Sequence, residues 1–340
     1  MSHVKFGYFA AHEQYDPVKL LQLAVRASER GFDSIWSSDH FQPWFHTGGQ
    51  AAFAWSWLAS LGEKTQRVQF GTGVTSPIRY HPAIIAQAFA TLAVMYPQRV
   101  FLTLGTGEAL NDKTATGAWP KFTARVEMVV ECIQIMRSLL TDDGPVSFDG
   151  KHFKVKGARL YTRPKTPVPI YVASNGPKMA YIAGKLADGY LTLPLGHDYI
   201  QNTLLPAVSR GAKDAGRNPD EIEKIIEIEL SFNPDYEKAV ASCWRWAGCL
   251  TEGSVNKTDP KQIEEDGRRL ITKARLSQSF LIATSPDDII SAVERYLEMG
   301  FWHVQFLSAS PDEELFIETM ASRVLPYLSS GHKRRTMNSI

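Results

Sequence analysis

Short apolar runs alternate with longer amphipathic segments along the whole chain. The apolar runs are rich in branched and aromatic residues and are bounded by glycine or polar residues, which is typical of buried strands. This pattern predicts strands over residues 4–9, 34–37, 68–74, 100–105, 169–173, 189–193, 224–232 and 303–307. Apolar positions three or four residues apart predict helices between them, over residues 17–30, 82–95, 122–139, 177–186 and 287–298.

Eight strands alternating with helices indicate an α/β protein with the TIM (β/α)8 barrel fold, with a doubly wound open sheet as the alternative. A hairpin over residues 146–155, turning at Asp149-Gly150, and an irregular region over residues 246–279 interrupt the pattern. A ninth apolar run over residues 280–284 is assigned to an insertion. We expect one domain over residues 1–330 and a basic, flexible tail over residues 331–340.

The composition argues against nucleic-acid binding, membrane binding and metal binding as functions of this chain. The net charge of +1 argues against nucleic acid or an anionic membrane as a partner. Three scattered cysteines do not form a disulfide framework or a zinc site, and we predict no metal. No export signal precedes the first strand and no apolar run is long enough to span a bilayer. A cytoplasmic protein is therefore expected.

The most informative segment is Ser38-Asp39-His40-Phe41-Gln42-Pro43-Trp44, at the end of the second strand. The carboxyl ends of parallel strands are where barrel enzymes build their active sites. His40 is a candidate general acid/base, with a loop-stabilising histidine as the alternative. Asp39 could orient His40, bind a cofactor or cap the next turn, and Trp44 could contact a flat ligand or belong to the core.

Four other strand ends carry polar or glycine-rich segments. Glu108 follows Gly105-Thr106-Gly107, where glycines allow a ligand to approach the backbone. Ser174-Asn175-Gly176 precedes a helix whose free N–H groups suit a phosphate, although an ordinary βα turn explains it equally well. Gly73-Val74 could lie against a planar ring, and Glu13 is a further carboxylate at the rim.

Taken in order, these segments resemble the luciferase-like flavin and deazaflavin oxidoreductases. The resemblance is closest to the coenzyme F420-dependent branch, both its glucose-6-phosphate dehydrogenases and its secondary-alcohol dehydrogenases. It is carried by Glu13-Gln14, the segment 38–44, Arg79-Tyr80-His81-Pro82-Ala83, Gln87-Ala88-Phe89-Ala90-Thr91, Gly105-Thr106-Gly107-Glu108-Ala109-Leu110-Asn111 and Trp246-Ala247-Gly248-Cys249-Leu250.

The resemblance implies that a deazaflavin ring lies in the barrel mouth, behind which the Gly73-Val74 peptide bond is cis. It further implies that Asp39, Thr106, Gly107 and the turn Ser174-Asn175-Gly176 contact the cofactor. The residues implied on the substrate face are His40, Trp44, Glu108 and Glu13. Our hypothesis is that His40 removes the hydroxyl proton of an alcohol while its carbon donates hydride to the ring. Glu108 would then protonate or hydrogen-bond the reduced ring, and Trp44 would pack beside the reacting carbon.

The sugar-phosphate relatives carry basic residues that bind the substrate phosphate, and the matching positions here differ. Residues 192–197 contain no lysine or arginine, and the insertion has Glu265 and about Ser279 instead. Nearby Arg268, Arg269, Lys273 and Arg275 could substitute, or could form a solvated helix face. The sequence therefore favours a small neutral secondary alcohol over a sugar 6-phosphate.

Three alternatives remain beside the sugar-6-phosphate dehydrogenase. Two are enzymes on the same scaffold, a methylenetetrahydromethanopterin reductase and an FMN-dependent monooxygenase. The third is a cofactor carrier without catalysis. In each reading of the resemblance we expect a homodimer.

Overall fold

The computed structural model describes residues 4–330, so the basic tail expected over residues 331–340 lies outside the described part. The strands are β1 (Lys5–Ala10), β2 (Ser34–Ser37), β3 (Gln69–Thr72), β4 (Val100–Leu104), β5 (Val146–Asp149), β6 (Lys154–Ala158), β7 (Ile170–Ala173), β8 (Gly189–Thr192), β9 (Glu223–Phe232), β10 (Leu281–Ala283) and β11 (His303–Ser308). The helices are α1 (Pro17–Glu29), α2 (Ala54–Lys64), α3 (Pro82–Met95), α4 (Asp112–Thr116), α5 (Phe122–Thr141), α6 (Pro177–Leu186), α7 (His197–Tyr199), α8 (Leu205–Asp214), α9 (Tyr236–Ser242), α10 (Pro260–Leu270), α11 (Lys273–Ser279), α12 (Pro286–Glu298) and α13 (Glu313–Thr319).

Eight parallel strands close into a barrel. Going round the ring, the neighbours are β1, β2, β3, β4, β7, β8, β9 and β11, and β11 pairs with β1 again. This confirms the TIM barrel and excludes the open doubly wound sheet. β10 corresponds to the run that was assigned to an insertion. It lies outside the ring and pairs in parallel with the carboxyl end of β9, with Leu281 opposite Leu230. β5 and β6 form the predicted antiparallel hairpin between α5 and β7.

The local signals that predicted the helices are visible as hydrogen bonds. The Asp16 carboxylate accepts from two N–H groups at the start of α1. Ser285 and Asp288 form a reciprocal capping box at the start of α12. Gly31 and Gly300, which follow α1 and α12, have positive φ angles of 96° and 88°. Side-chain chemistry therefore sets these helix boundaries locally.

The region 246–279, predicted to be irregular, is helical. α10 begins at an Asp259 cap with Pro260 in its first turn, and α11 begins at a Thr272 cap. Gly267 of α10 packs against the backbone of Gly248, where a Cβ atom would lie 2.4 Å from the Gly248 nitrogen. These helices are short and strongly charged, with few apolar positions to reveal their period. Their packing against the segment Cys243–Leu250 decides their structure.

Aromatic side chains fill the interior of the barrel. The ring of Trp36 lies 4.4 Å from that of Phe101 and 6.0 Å from that of Tyr171, measured between centroids. These inward-facing residues come from β2, β4 and β7, and all three are buried. A second, larger core lies between the strands and the surrounding helices. This aromatic layer fills the barrel interior, so polar side chains lie above it, at the carboxyl ends of the strands.

Within residues 4–330, no helix is long and apolar enough to cross a membrane.

Candidate active site

A histidine after β2 lies between two carboxylates at the mouth of the barrel. Nδ1 of His40 is 3.0 Å from Oε1 of Glu13 in an ion-pair contact, and Nε2 is 3.5 Å from Oε2 of Glu108. Glu13 follows β1 and Glu108 follows β4, so three strands bring the groups together at their carboxyl ends. The Ser38 hydroxyl donates to Oε2 of Glu13 at 2.8 Å and fixes that carboxylate.

The pKa values of this cluster follow from burial and charge. Burial would lower the pKa of His40 and raise that of Glu13, but their opposite charges outweigh it. The pKa of His40 is raised to about 9 and that of Glu13 is lowered to about 2. Burial raises the pKa of Glu108, and the charge of His40 opposes this rise. At neutral pH, His40 and Glu13 therefore form a charged pair beside a carboxyl group of raised proton affinity.

Asp39 belongs to a second, fully packed network. Its carboxylate accepts from Thr75 Oγ1 at 2.7 Å and from the Tyr80 hydroxyl at 3.2 Å. The Arg79 guanidinium lies 3.2 Å from the same carboxylate, donates to the Asp39 carbonyl and lies 3.5 Å from Asp112 Oδ1. Asp39 is therefore neither a helix cap nor the residue that orients His40, since Glu13 takes that place.

Asn111 links the segment 38–44 to the turn that carries Glu108. Its Oδ1 accepts from the N–H groups of Phe41 and Gln42 at 2.8 and 3.1 Å. Its Nδ2 donates to Glu108 Oε2 at 3.1 Å. One amide thus sets the position of Glu108 relative to the loop after His40.

Gly107 is required by the shape of this turn. Its φ angle is 74°, and a Cβ atom there would lie 2.0 Å from Asp112 Oδ2 and 2.6 Å from Ser76 Oγ. Asp112 is fully buried and accepts from the Glu108 N–H at 2.9 Å. Thr106 lies beside this turn and is partly exposed.

The strand β3 ends in a bulge. Gly71 pairs with Phe101, whereas Thr75 pairs with Leu104, so β3 has one residue more than β4 between the two pairs. The peptide bond between Gly73 and Val74 is cis, as the resemblance implied. A Cβ atom on Gly105 would lie 2.9 Å from Val74 Cγ1, so Val74 packs directly on the backbone of the neighbouring strand.

The turn Ser174-Asn175-Gly176 lies at the end of β7. Asn175 Oδ1 accepts from Thr192 Oγ1 and from the Leu193 N–H, both at 3.3 Å, which joins the ends of β7 and β8. Gly176 is the N-cap of α6, and no side chain caps this helix. Among the described residues, no hydrogen bond joins this turn to the other candidates.

Trp44 is buried, with 8% of its surface exposed, and its ring centroid lies 6.2 Å from that of His40.

The sequence interpretation gave no role to Arg79, Tyr80 or Asn111, although it included them in its motifs, and it omitted Asp112. Their signal in the sequence was weak, because charged residues near a helix start are usually solvated. Only the tertiary structure reveals that Asn111 and Asp112 are buried and that Arg79 and Tyr80 contact Asp39.

A family model described as Luciferase-like monooxygenase matches residues 4–303. The chain belongs to the luciferase-like family. Its similarity to two relatives spans nearly the whole chain. An F420-dependent glucose-6-phosphate dehydrogenase of Mycolicibacterium gilvum is 39% identical over 96% of this chain and 99% of its own length. The corresponding enzyme of Gordonia bronchialis is 40% identical over 96% and 97%.

Two solved structures have the same fold as this chain. An F420-dependent secondary alcohol dehydrogenase in complex with an F420–acetone adduct superposes with a TM-score of 0.90 at 39% identity, covering 94% of this chain and 98% of its own. The F420-dependent tetrahydromethanopterin reductase of Methanopyrus kandleri has a TM-score of 0.77 at 22% identity, covering 96% and 99%, and this likeness concerns the fold alone.

Proposed function

We propose that the chain is a coenzyme F420-dependent dehydrogenase that oxidises a neutral secondary alcohol to a ketone. The observation that carries the proposal is His40, held between Glu13 and Glu108 at the barrel mouth. A histidine with one ring nitrogen fixed by a carboxylate has the other available to take a hydroxyl proton. The names of the similar proteins support coenzyme F420 as the cofactor and a CH–OH group as the donor.

The cofactor residues of the proposal are Asp39, Thr106, Gly107, the Gly73-Val74 bulge and the turn at 174–176. Two observations fit a flat ring with a phosphate-bearing chain. At the bulge, the backbone and the Val74 side chain can lie against the flat ring. At the start of α6, which no side chain caps, Gly176 leaves space for the phosphate, because a Cβ atom there would have no atom within 4 Å. When bound, the deazaflavin supplies a ring carbon that accepts hydride.

The protein's own residues handle the proton. His40 takes the hydroxyl proton at Nε2, while Glu13 holds Nδ1 and stabilises the charged ring. The carbon loses its hydrogen as hydride, so the alcohol leaves as the ketone. Burial raises the pKa of Glu108, which suits its carboxyl group to donate a hydrogen bond toward the cofactor face, and Trp44 limits water access beside His40.

A sugar-6-phosphate dehydrogenase is the second candidate, since the similar curated proteins carry that name. The surroundings of the basic residues near the insertion argue against a sugar phosphate as substrate. Arg268 pairs with Glu264, Arg269 pairs with Asp266 and Lys273 pairs with Glu237, each at 2.5 Å. Arg275 is exposed. All four cations are exposed on the surface, which favours a neutral substrate over a phosphate bound in the barrel mouth.

The test begins with titration of the purified protein with oxidised F420 and with FMN, monitored by tryptophan fluorescence. We expect saturable binding of F420 alone, followed by loss of F420 absorbance with 2-propanol. His40→Ala should retain F420 binding and lose turnover by about 10²- to 10⁴-fold. His46→Ala, an exposed histidine on the same loop, should match the wild type.

Three results would contradict the proposal. Faster turnover of glucose 6-phosphate would favour the second candidate. Tight binding of FMN would indicate a flavin enzyme on the same barrel. Unchanged turnover of His40→Ala would remove its role as base.

The proposal also includes a cytoplasmic homodimer. Within residues 4–330, Cys132, Cys243 and Cys249 are all free thiols, which agrees with a reducing compartment. Light scattering of the purified protein should give about twice the mass of one chain. A monomer at micromolar concentration would contradict the dimer.

A further inference from the structure

Two carboxylates of β9 face the interior of the barrel. Along this strand Ile225 belongs to the inner core, whereas Ile228 and Leu230 pack outward against the helices. Because side chains alternate along a strand, Glu227 and Glu229 lie on the inner face with Ile225. Both are partly exposed, although their outward-facing neighbours are buried. An inward-facing side chain of a closed barrel can be exposed only to the cavity at its mouth.

These carboxylates share the cavity with the proposed catalytic groups. Burial raises the pKa of Glu227, and the charges of Glu229, Glu13 and Glu108 raise it further. The same three charges act on the buried thiol of Cys249. Glu227 therefore lies within range of the charges of Glu13 and Glu108, and Glu229 follows it on the inner face of β9.

Several polar atoms around this cluster have no partner among residues 4–330. Gln305 donates through Nε2 to Glu227 Oε2 at 2.5 Å, yet its own Oε1 is buried and accepts no hydrogen bond. No described side chain hydrogen-bonds the Glu229 carboxylate. Buried polar atoms are normally satisfied, so these atoms point to a polar ligand.

We propose that Glu229, with the Glu227–Gln305 pair, forms a subsite that binds a second hydroxyl group of a neutral diol or polyol substrate. The proposal rests on the proposed function and specifies its substrate class. A hydroxyl group donates to the oxygens of Glu229 or Gln305. A phosphate dianion has no proton to donate to these acceptor oxygens. A simple alcohol places a methyl group against these acceptors.

The test compares a matched substrate pair, 1,2-propanediol and 2-propanol, by loss of F420 absorbance. We expect the wild type to have at least tenfold higher kcat/KM for the diol. Glu229→Leu should bring the ratio of kcat/KM for the diol to kcat/KM for 2-propanol close to one. Glu229→Gln, which keeps an acceptor oxygen, should retain most of the preference for the diol. The exposed Glu252→Gln serves as the control and should not change the ratio.

A second variant protects the test against a folding defect. Gln305→Leu removes the orphaned oxygen on the neighbouring strand β11 and should lower the same ratio. Equal turnover of the two substrates by the wild type would overturn the subsite, as would an unchanged ratio in both leucine variants. Absence of F420 binding or of any alcohol turnover would instead overturn the proposed function, so the two failures are distinguishable.

Discussion

The charged pair of His40 and Glu13 determines which protonation state the site holds at rest. With the pKa of His40 raised to about 9, the ring is protonated at neutral pH. That state can donate a proton to a ketone, whereas alcohol oxidation needs the neutral ring. A single residue thus makes the two directions of the reaction respond oppositely to pH.

The first prediction concerns this pH dependence. Because only the neutral ring accepts a proton, kcat/KM for alcohol oxidation should rise about tenfold per pH unit and level off near pH 9. Ketone reduction should fall over the same range. Glu13→Gln removes the anion that raises the pKa of His40, so the rising limb should move to lower pH. Stopped-flow rates between pH 5 and 10 provide the measurement, and an unmoved limb in Glu13→Gln would contradict the prediction.

The second prediction separates steric conflict from backbone strain at Gly107. Gly107→Ala and Gly117→Ala introduce a Cβ atom at the same φ angle of 74°, but only Gly107 has atoms within 4 Å of it. We expect Gly117→Ala to lower the free energy of unfolding by about 1 kcal/mol, from the left-handed conformation alone. Gly107→Ala should lower it by a further ~1–3 kcal/mol, since Asp112 must move. Urea unfolding measures both, and equal losses would show that the contact with Asp112 is unimportant.

At the scale of elements, α5 anchors the β5–β6 hairpin through one carboxylate. Glu131 accepts from the backbone N–H groups of Lys151, His152 and Phe153, at 2.9 to 3.0 Å for the shortest contact of each. One turn earlier, Glu127 pairs only with the side chains of Lys151 and His152. The hairpin turn therefore depends on a side chain remote in sequence as well as on Asp149-Gly150.

The third prediction compares these two carboxylates. Glu131→Ala leaves three N–H groups without their acceptor and should cost about 2–4 kcal/mol of unfolding free energy. Glu127→Ala removes exposed ion pairs and should cost at most about 1 kcal/mol. Turnover should be unchanged in both, because the contacts of Glu131 and Glu127 are with hairpin residues and include no proposed catalytic residue. Chemical denaturation of the two variants checks this, and similar losses would contradict it.

At the scale of the whole molecule, the amino-terminal end of the barrel contributes to stability, and the carboxyl-terminal end carries the proposed catalytic groups. At the amino-terminal end, Glu223 accepts from Lys5 Nζ at 3.0 Å, from His303 Nδ1 at 2.9 Å and from the Tyr171 hydroxyl at 2.7 Å. These residues come from β9, β1, β11 and β7, so one carboxylate connects four strands of the ring. The proposed catalytic groups all lie at the opposite, carboxyl-terminal end.

The fourth prediction follows from this division. Glu223→Gln should lower the free energy of unfolding by about 1–3 kcal/mol and leave kcat unchanged. Burial would raise the pKa of Glu223, but its hydrogen bond and charge contact with His303 lower it overall. Since its folded pKa lies below its unfolded one, its contribution is present above about pH 4.5 and is lost as the pH falls further. The difference in unfolding free energy between the two proteins should be smaller at pH 3 than at pH 7, and a lowered kcat would contradict the assignment of this end to stability.

Much of the architecture was readable from the sequence, because its signals are local. The strand at residues 34–37 and the helices at 82–95 and 177–186 have the predicted bounds, since apolar period, proline and glycine act within a few residues. The helices α10 and α11 were missed, because their charged sequences acquire structure by packing against Cys243–Leu250. Likewise, the site residues were found as separate strand ends, without the contacts between them.

The sequence by itself determined the alternation of strands and helices, and with it the end of the barrel at which His40, Glu13 and Glu108 stand. Only the tertiary structure decided that Glu13, rather than the adjacent Asp39, pairs with His40. It alone also turned Glu227 and Glu229 toward the same cavity and committed Arg268, Arg269 and Lys273 to surface ion pairs. The physical reason is range: strand period and helix caps act between near neighbours, whereas charge pairing acts across the barrel between residues far apart in the chain.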